Sequence, residues 1–594
     1  MIKKIGLFIG SLALALSANA QHRKMSAEFD KLGPNSRVKV IIKWKNRADS
    51  GNEAKVLKRG GHVRARFNAL VGGAYELRAG DIRELANDPG IEHISIDHPV
   101  RSRLDNTAAA MNAAAAWSTG FVGTGVGVAV LDSGINASAD LAGLRIVHTE
   151  DFVDPSSQQY GQDLYGHGQH VAGIIAASGS ASTCTSCIRT FRGIAPGVNL
   201  INFRVLDANG EGTDSNVISA LDRAIELKDT YNIRVVNLSL GRLVYESYQD
   251  DLLCQAVEAA WKAGIVVVAA AGNEGRDYSF GTSGYGTIDA PGNDPYIITV
   301  GAMKSMGTPD RSDDLIASYS SKGPSLIDHV VKPDILAAGN QVVSLMAGGA
   351  SLETEFGSTN SVSRSYYLTG LTDASAAQTS NDFFTLSGTS MAAAAVSGAV
   401  ADLIQARPDL TPDQVKVLIM GTAYKTFPQS SAVDDAGSGM TYTSYYDIFT
   451  VGAGYLDLGA ALASIDTVPS TGTALSPTAS YDSATGAVTV TFDPSSVFGN
   501  QALWGAQGLW GAQGLWGAQG LWGAQGLWGA QGLWGAQGLW GAQGLWGAQG
   551  LWGAQGLWGA QGLWGAQGLW GAQGLWGAQG LWGAASDTTL QGEN

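Results

Sequence analysis

Residues 215–241, SNVISALDRAIELKDTYNIRVVNLSLG, place an amphipathic helical stretch directly before a continuous apolar run. Similar apolar runs lie between Gly-rich turns at residues 125–132, 199–207, 264–272 and 296–302. Strands that are apolar throughout, rather than alternating, are typical of a parallel sheet covered by helices on both faces. The sequence therefore predicts a doubly wound, mostly parallel α/β domain, in which ligands and catalytic residues gather at the carboxyl ends of the strands.

The chain has 594 residues, too many for one ordinary domain, and its composition changes along its length. The predicted segments are a signal peptide at 1–20, a leader domain at 21–105, the α/β domain at 106–466, a linker with one short strand at 467–502, LWGAQG repeats at 503–586 and a C-terminal end at 587–594. The leader has the pattern strand, helix, strand, helix, strand, and is predicted to be a small α+β domain.

The first segment has the features of a secretory signal peptide. It contains Lys3 and Lys4, an apolar run from Ile5 to Leu16, and a small-residue cleavage signal that ends at Ala20. This run is too short for a membrane span, which needs about 20 residues, and no later stretch is long enough. We therefore predict an extracellular or periplasmic protein, cleaved near Ala20.

Charge separates the leader from the rest of the chain. Lysine and arginine outnumber aspartate and glutamate between Gln21 and Asn106, whereas the whole chain carries a net charge of −15. These opposite charges suggest that the leader and the acidic body bind each other, and they argue against nucleic acid as a partner of the body.

The three cysteines allow few arrangements. Cys184 and Cys187 form a CTSC loop, and a secreted context permits a small bridge between them. A zinc site would need a second pair of ligands that the sequence does not offer. Cys254 lies on the apolar stripe of a predicted helix and is expected to be a core residue.

Three polar residues stand where strands end or helices begin. Asp132 follows the apolar strand in GVAVLDSGI, His167 opens the helix of YGHGQHVAGIIAA, and Ser390 opens that of LSGTSMAAAAVSGAVADLIQA. Each has an ordinary structural explanation, because Asp and Gly-flanked His occur in turns and Gly-Thr-Ser often starts a helix.

Together, the residues around these positions resemble the subtilisin-like serine peptidases, in the chain order Asp, His, Ser. Five motifs carry the resemblance, in this order: VAVLDSGI, GHGQHVAG, VVNLSLG, AAGNEG and SGTSMA. The resemblance implies a serine endopeptidase activity on the α/β fold.

By this resemblance, Ser390 is the nucleophile, and His167 is the general base that takes its proton and returns it to the leaving amine. Asp132 holds the His167 ring in the required tautomer and stabilises the imidazolium. The backbone N–H of Ser390, at a helix N-terminus, and the side chain of Asn273 form the oxyanion hole. An ordinary turn is the other explanation of Asn273.

The resemblance also assigns substrate binding to Ser239, Leu240 and Gly241, whose backbone pairs with an extended peptide. Side-chain preference then comes from a first pocket between this segment and AAGNEG. Asp289 lies in the loop IDAPGND near the floor of that pocket, where many relatives have glycine. An inward Asp289 favours Lys or Arg in the substrate, and a solvated loop residue is the alternative.

No cofactor is required for this chemistry, and no metal ligand is assigned. Structural calcium is frequent in the family, with Asp163 or Asp140 as candidate ligands, but no clear run of ligands is present. His170 is expected to be a packed neighbour of the site rather than a metal ligand. Gln169 and Ala394 replace the Thr and Pro that the family commonly has, at positions that supply no catalytic atom.

The leader resembles the inhibitor-type propeptide of these peptidases, which docks on the catalytic domain, assists its folding and leaves its end in the active site. Residues 98–106, HPVRSRLDN, supply an extended end with Arg101 and Arg103 as candidate cleavage points. The leader is thus expected to be the intramolecular inhibitor of a zymogen.

The repeat LWGAQG has an even period, so an extended strand would carry Leu, the first Gly and Gln on one face and Trp, Ala and the second Gly on the other. An α-helix would spread the tryptophans around its axis, so a strand is the one regular element expected to give a fixed face. A flexible low-complexity tail, a self-associating β element and a surface for sugars or cell-wall polymer all remain open. The hexad supplies no acid, base or nucleophile.

The sequence as a whole predicts a secreted serine endopeptidase that cleaves extended protein or peptide segments. A non-catalytic structural or adhesive surface protein that presents the Trp-rich repeats is the alternative. The four intact positions, Asp132, His167, Asn273 and Ser390, favour the enzyme.

Overall fold

The computed structural model describes residues 24–25, 29, 33–34, 36–45, 50–67, 71–96, 99–102, 110–141, 145–278, 282–306, 308, 311–376, 378–435, 438–468, 470–482, 487–499 and 593. The chain forms two compact units, one of residues 1–66 and 71–97 and the other of residues 67–70 and 98–594. The predicted signal peptide and the repeats lie outside the described residues. Within the described ranges, no helix is long and apolar enough to cross a membrane.

The first unit is a four-stranded sheet, in the order β2-β3-β1-β4, with two helices. Its elements are β1 (Arg37–Trp44), α1 (Ser50–Leu57), β2 (His62–Phe67), β3 (Gly72–Arg78), α2 (Ala79–Leu85) and β4 (Ile91–Ile96). Trp44 and Tyr75 are buried in its core and are joined by a hydrogen bond of 3.3 Å between Nε1 and the hydroxyl. Strand β2 is additional to the predicted pattern, because its basic sequence HVRARF gives only weak apolar alternation.

The second unit contains the remaining strands and helices. Its strands are β5 (Pro99–Ser102), β6 (Gly127–Asp132), β7 (Ile146–Asp151), β8 (Asn199–Arg204), β9 (Glu211–Thr213), β10 (Ile233–Leu238), β11 (Leu240–Gly241), β12 (Val266–Ala270), β13 (Ile298–Lys304), β14 (Leu315–Ile316), β15 (Ile335–Ala338), β16 (Val342–Leu345), β17 (Ser361–Ser363), β18 (Thr379–Leu386), β19 (Ser430–Asp435), β20 (Met440–Tyr445), β21 (Thr478–Asp482) and β22 (Ala487–Thr491). Its helices are α3 (Ala113–Ser118), α4 (His167–Ala176), α5 (Asp214–Tyr231), α6 (Leu252–Lys262), α7 (Ser351–Asn360), α8 (Arg364–Tyr367), α9 (Asp373–Ala376), α10 (Thr389–Ala406), α11 (Pro412–Gly421), α12 (Ile448–Val451) and α13 (Leu458–Ala463).

A mixed, mostly parallel sheet of eight strands forms the centre of the second unit, in the order β14-β13-β12-β10-β6-β8-β7, with β15 also paired to β13. Neighbouring strands of this sheet run parallel, except that the edge strand β14 is antiparallel to β13. Strands β6, β10, β12 and β13 are buried along their whole length, except at Arg234. The continuous apolar runs of the sequence thus form the centre of the sheet, as predicted.

Two pairs of helices cover these central strands. Helix α10 packs against α4 and against β10, β12 and β13, whereas α5 packs against α6, β6 and β10. Helix α5 begins at an N-cap, Thr213, whose side chain accepts a hydrogen bond from the backbone of Asn216. This arrangement is the doubly wound α/β architecture expected from the sequence.

The stretch predicted as a linker is packed on the second unit instead. The hydroxyl of Ser476 is buried, donates to Asp334 Oδ1 (2.5 Å) and accepts from Lys416 Nζ (2.8 Å). Strands β21 and β22 form an antiparallel hairpin, and Thr478 also bridges to Val330. The prediction of a linker with one strand was wrong because these contacts depend on partners distant in sequence.

The cysteines take the arrangement that the sequence permits. A disulfide joins Cys184 and Cys187, the bridge that the spacing alone left open. Cys254 is fully buried on α6, as expected for a core residue, and burial raises the pKa of its thiol well above the ordinary value.

Candidate active site

The three polar residues singled out by the sequence stand at the ends of neighbouring elements. Asp132 is the last residue of β6, His167 is the first residue of α4, and Ser390 is the second residue of α10. Parallel strands end at the same edge of a sheet, so β6 and its neighbour β10 bring Asp132 and Ser239 to that edge together.

Asp132 and His167 form a fully buried pair. His167 Nδ1 lies 2.7 Å from Asp132 Oδ1, and both side chains are inaccessible to solvent. The same carboxylate oxygen accepts the backbone N–H of Ser133 at 2.8 Å. Because a neutral histidine that donates from Nδ1 has its acceptor on Nε2, this contact fixes both the orientation of the ring and its tautomer.

Ser390 is held against the end of β10 by a reciprocal pair of hydrogen bonds. Its hydroxyl donates to the carbonyl of Ser239 at 3.1 Å, and the hydroxyl of Ser239 donates to the carbonyl of Ser390 at 2.7 Å. Since α10 begins at Thr389, the N–H of Ser390 belongs to the first turn and has no acceptor within the helix. The N-terminal end of the helix therefore presents a backbone donor beside this hydroxyl.

Asn273 follows β12 and is joined to the start of α10. Its Oδ1 accepts from the backbone N–H (3.1 Å) and the hydroxyl (3.0 Å) of Thr389. These donors identify which end of the amide is oxygen. The Nδ2 group is buried and makes no hydrogen bond within the described part of the chain. A buried amide donor in this state is available to an acceptor that enters the site.

Asp163 belongs to the site but is not identified as part of it by the sequence. Its carboxylate accepts from the hydroxyl of Ser133 (2.9 Å) and from the backbone N–H groups of Gly166 (2.7 Å) and Gln169 (2.7 Å). Ser133 also donates from its hydroxyl to Asp132, at 3.3 Å. Burial raises the pKa of Asp163. Its position four residues before a predicted helix start was the available signal, since Asp favours such places.

His170 is packed inside the fold, as expected. It is fully buried, and its Nε2 lies 3.2 Å from the carbonyl oxygens of both Val342 and Phe384. Burial, reinforced by the neighbouring His167, lowers the pKa of His170 to about 3. The ring is therefore neutral near pH 7, and it donates its Nε2 proton to these carbonyls.

The two acidic residues considered as calcium ligands are engaged by the chain itself. Both carboxylate oxygens of Asp163 accept hydrogen bonds, and Asp140 Oδ1 accepts from the hydroxyls of Ser178 and Ser180. In the described ranges no three His, Cys, Asp or Glu side chains are grouped to hold a metal ion. Asp140 Oδ2 is buried and makes no hydrogen bond within the described residues, and calcium binding at either residue stays a prediction.

Strand β5 lies between β11 and β9 in a three-stranded antiparallel sheet. Ser102 stands opposite Leu240, and Arg101 stands opposite both Gly241 and Glu211. Residues 240 and 241 are the segment assigned to substrate binding, so an extended stretch of the chain occupies its hydrogen-bonding edge. Strands β9 and β11 thus form a groove that accepts an extended backbone.

Asp289 is buried between the two walls proposed for the first pocket. Its exposed fraction is 1 %, which excludes the solvated position considered above. A Cβ added to Gly241 would lie 3.1 Å from Asp289 Oδ2, and one added to Gly272 would lie 2.7 Å from it. The carboxylate therefore lies against Gly241 and against Gly272, the residue before Asn273, and the missing side chains of the two glycines give it room.

Arg242 follows the segment assigned to substrate binding and is held by two ion pairs. Its guanidinium is buried, with Nε 3.0 Å from Asp214 Oδ1 and Nη2 2.8 Å from Asp251 Oδ2. Burial alone lowers its pKa, but the carboxylates of Asp214 and Asp251 outweigh burial and raise the pKa of Arg242 well above the ordinary value. The pair of acids on α5 and at the N-cap of α6 thus fixes the residue that follows Gly241.

Comparison with known proteins places this geometry in a family. The sequence model that describes the subtilase family matches residues 123–443 of the chain. The chain is 34 % identical to "Serine protease AprX" of Bacillus subtilis (strain 168) over 63 % of its own length and 79 % of that protein. It is 30 % identical to Subtilisin E of the same organism over 65 % and 85 %, and 31 % identical to "Extracellular serine proteinase" of Thermus sp. (strain Rt41A) over 58 % and 69 %.

A solved structure shares the fold. Fervidolysin from Fervidobacterium pennivorans, a keratinolytic enzyme related to subtilisin, superimposes with a TM-score of 0.53 at 22 % identity, over 74 % of this chain and 62 % of that one. At this level of identity the likeness concerns the fold alone.

The repeats match a different family, the collagen triple helix repeat, over residues 498–560 and 529–594. The hexad LWGAQG places glycine at its third and sixth positions, so glycine recurs at every third residue. The expectation that a strand is the one regular element suited to the repeat left out the collagen triple helix, which has a three-residue period.

The family match covers more than half of the chain, and it includes the strand and helix ends that hold Asp132, His167 and Ser390. The two matched Bacillus subtilis proteins are aligned over most of their own lengths. The chain belongs to the subtilase family and is a subtilisin-like serine endopeptidase.

Proposed function

We propose that Ser390, His167 and Asp132 are the catalytic triad of this peptidase. The observation that carries the proposal is the solvent-inaccessible contact of 2.7 Å between His167 Nδ1 and Asp132 Oδ1. With Nδ1 committed to the carboxylate, Nε2 of the same ring is the base that takes the proton of the attacking hydroxyl. His167 then returns that proton to the leaving amine, and a water molecule repeats the sequence to release the acyl group.

The oxyanion formed at the scissile carbonyl is stabilised by Asn273 Nδ2 and the N–H of Ser390. Asn273 Oδ1 accepts two hydrogen bonds from Thr389. This contact supports the proposal, because it leaves Nδ2 as the atom of the amide that can donate to the substrate. Both donors are fixed before substrate arrives, and preorganised donors in a buried site stabilise developing charge without reorganisation.

Substrates are extended protein or peptide segments that pair with the backbone at Ser239, Leu240 and Gly241. The pairing of β5 with β11 supports this mode of binding. Asp289 sits between the two glycines of the first pocket, so we assign it a preference for Lys or Arg at the substrate position next to the scissile bond.

The leader is proposed to be an intramolecular inhibitor, and the enzyme a secreted zymogen. Residues 99–102 occupy the groove between β9 and β11, which an inhibitory end would have to fill. Arg101 and Arg103 are candidate cleavage points that agree with an acidic first pocket. The signal-like first segment, the disulfide between Cys184 and Cys187, and the extracellular relative from Thermus support secretion. The adhesive alternative is not favoured, because the family is one of peptidases.

Alanine variants of the three proposed triad residues test this function on a short soluble peptide after the leader is removed. Groups that act as a unit are not additive, so we expect each single variant and the triple variant to lose most of the turnover, with the triple variant little worse than Ser390→Ala. Retention of full turnover by Ser390→Ala would contradict the proposal.

A further inference from the structure

Glu593, next to last in the chain, is buried in the second unit. Its side chain is inaccessible to solvent and lies among donors supplied by residues far away in sequence. Five side chains surround it and are called here the acidic-residue pocket: Arg276, Lys304, Ser318, Asn340 and Gln341.

The pocket contacts the carboxylate of Glu593 with both charge and hydrogen bonds. Oε1 accepts from Arg276 Nη2 and from the backbone N–H of Ser318, both at 2.9 Å, and from the hydroxyl of Ser318. Lys304 Nζ lies 3.8 Å from Oε2. The Arg276 and Lys304 side chains are only 11 % and 6 % exposed, so both cations are largely buried, and Arg276 Nη1 also lies 3.4 Å from Asp435 Oδ1.

The pocket also contacts the backbone of Glu593. Asn340 donates from Nδ2 to its carbonyl and accepts its N–H at Oδ1, both at 2.9 Å, and Gln341 Nε2 donates to the same carbonyl at 3.3 Å. A side-chain amide that both donates and accepts in this way recognises the two backbone polar groups of a single residue. Recognition therefore requires an acidic side chain and a peptide backbone together.

This pocket lies next to segments of the active site without being part of it. Arg276 follows Asn273 by three residues, and the N–H of Gly275 donates to the carbonyl of Tyr319 at 2.8 Å. On the other side, Gly339, the neighbour of Asn340, accepts the N–H of Gly388 at 2.8 Å.

We propose that the acidic-residue pocket is a binding site for a glutamate within a peptide segment, and that the C-terminal Glu593 is its occupant. The occupant joins the end of the chain to the same unit that contains Gly499, the last described residue before the repeats. The two ends of the repeat-bearing segment are thereby attached to the peptidase unit. This docking goes beyond the proposed function and does not depend on turnover.

Thermal unfolding of the full chain tests the proposal, with Ser390→Ala present throughout to prevent self-digestion. We expect Glu593→Gln and Arg276→Gln each to lower the melting temperature by several degrees. The double variant should melt only slightly below the less stable of the two single variants. Asp587→Asn, in the same C-terminal end, is the matched control and should leave the melting temperature unchanged. An unchanged Glu593→Gln melting temperature, or additive losses, would overturn the proposal.

A peptide added in trans separates docking from general damage. We expect millimolar TTLQGEN, the sequence of residues 588–594, to raise the melting temperature of the Glu593→Gln chain toward that of its parent. The peptide TTLQGQN should have no such effect, and neither peptide should rescue the chain that also carries Arg276→Gln. Equal effects of the two peptides, or no effect of either, would refute a glutamate-specific pocket.

Discussion

Replacing Asp289 by Asn removes the carboxyl group from the proposed first pocket while keeping its shape. The carboxylate is buried between Gly241 and Gly272, and Cβ atoms added to these glycines would lie 3.1 Å and 2.7 Å from Oδ2. A substrate side chain in this pocket would therefore meet a carboxyl group that is shielded from bulk water. An arginine or lysine would form a charge-assisted hydrogen bond there, whereas phenylalanine would leave the carboxylate without a substrate partner.

A hydrogen bond to a charged group contributes about 1.5 to 3 kcal/mol. Since each 1.36 kcal/mol is tenfold in rate, we expect Asp289→Asn to lower kcat/KM for an Arg peptide by roughly 10- to 150-fold. The value for a Phe peptide of the same length should stay the same or rise, because phenylalanine makes no hydrogen bond that the variant could remove.

The assay compares kcat/KM for two chromogenic peptides that differ only in having Arg or Phe before the scissile bond. Asp294→Asn is the matched control, since Asp294 is a buried acid of the same loop whose carboxylate accepts from the backbone of Tyr296. We expect this control to keep the preference of the parent enzyme. A parent enzyme that prefers Phe, or an Asp289→Asn variant with an unchanged ratio, would refute the assignment of the pocket.

Three further variants test other parts of the account. Asn273→Leu should lower kcat about 10²- to 10³-fold with little change in KM, measured on a short peptide, because it removes one oxyanion donor; an equal rise in KM would point to ground-state binding instead. Arg242→Gln should cost about 3 to 5 kcal/mol in denaturant unfolding, since it leaves two buried acids without their cation; a loss below 1 kcal/mol would contradict this. The pKa of buried His170 is lowered to about 3, so the unfolded state binds its proton first and stability falls as pH drops from about 6.5 toward 3. Between pH 6.5 and 5 the free energy of unfolding should fall by about 2 kcal/mol for this reason. Unfolding curves of a His170→Gln variant should not show this fall, and an identical pH dependence would contradict the assignment.

The centre of the sheet was predictable because its strands form continuous apolar runs in the sequence. Apolar runs such as residues 266–270 are buried along their whole length, and no partner needs to be known to recognise them. The strand and helix ends that carry Asp132, His167 and Ser390 were predictable for the same reason, and the motifs around them pointed to the family.

What escaped prediction depends on contacts between distant residues. Ser133 donates to both Asp163 and Asp132, and the position of Asp163 shortly before a helix start does not indicate this contact. The inward position of Asp289 follows from two glycines in other loops, 48 and 17 residues away. Docking of Glu593 joins residues separated by the whole repeat segment. Contacts between such distant residues cannot be predicted from composition or from the period of apolar residues.

The repeats escaped prediction for a different reason, because their glycine period belongs to neither a strand nor an α-helix. Strands and α-helices have periods of 2 and 3.6 residues. Glycine occupies every third position of the hexad, which is the spacing of glycine in the collagen family that the repeats match. The hexad still supplies no catalytic group, so the chemistry remains with the peptidase unit.

Covalent labelling of Ser390 tests the central claim most directly. The purified enzyme, after removal of the leader, is treated with a serine-reactive fluorophosphonate, and the modified residue is located by mass spectrometry beside Ser390→Ala and His167→Ala controls. We predict a single adduct on Ser390 that is absent from the first control and strongly slowed in the second, because the hydroxyl is nucleophilic only with its base. No adduct, or an equal rate of labelling without His167, would contradict the account.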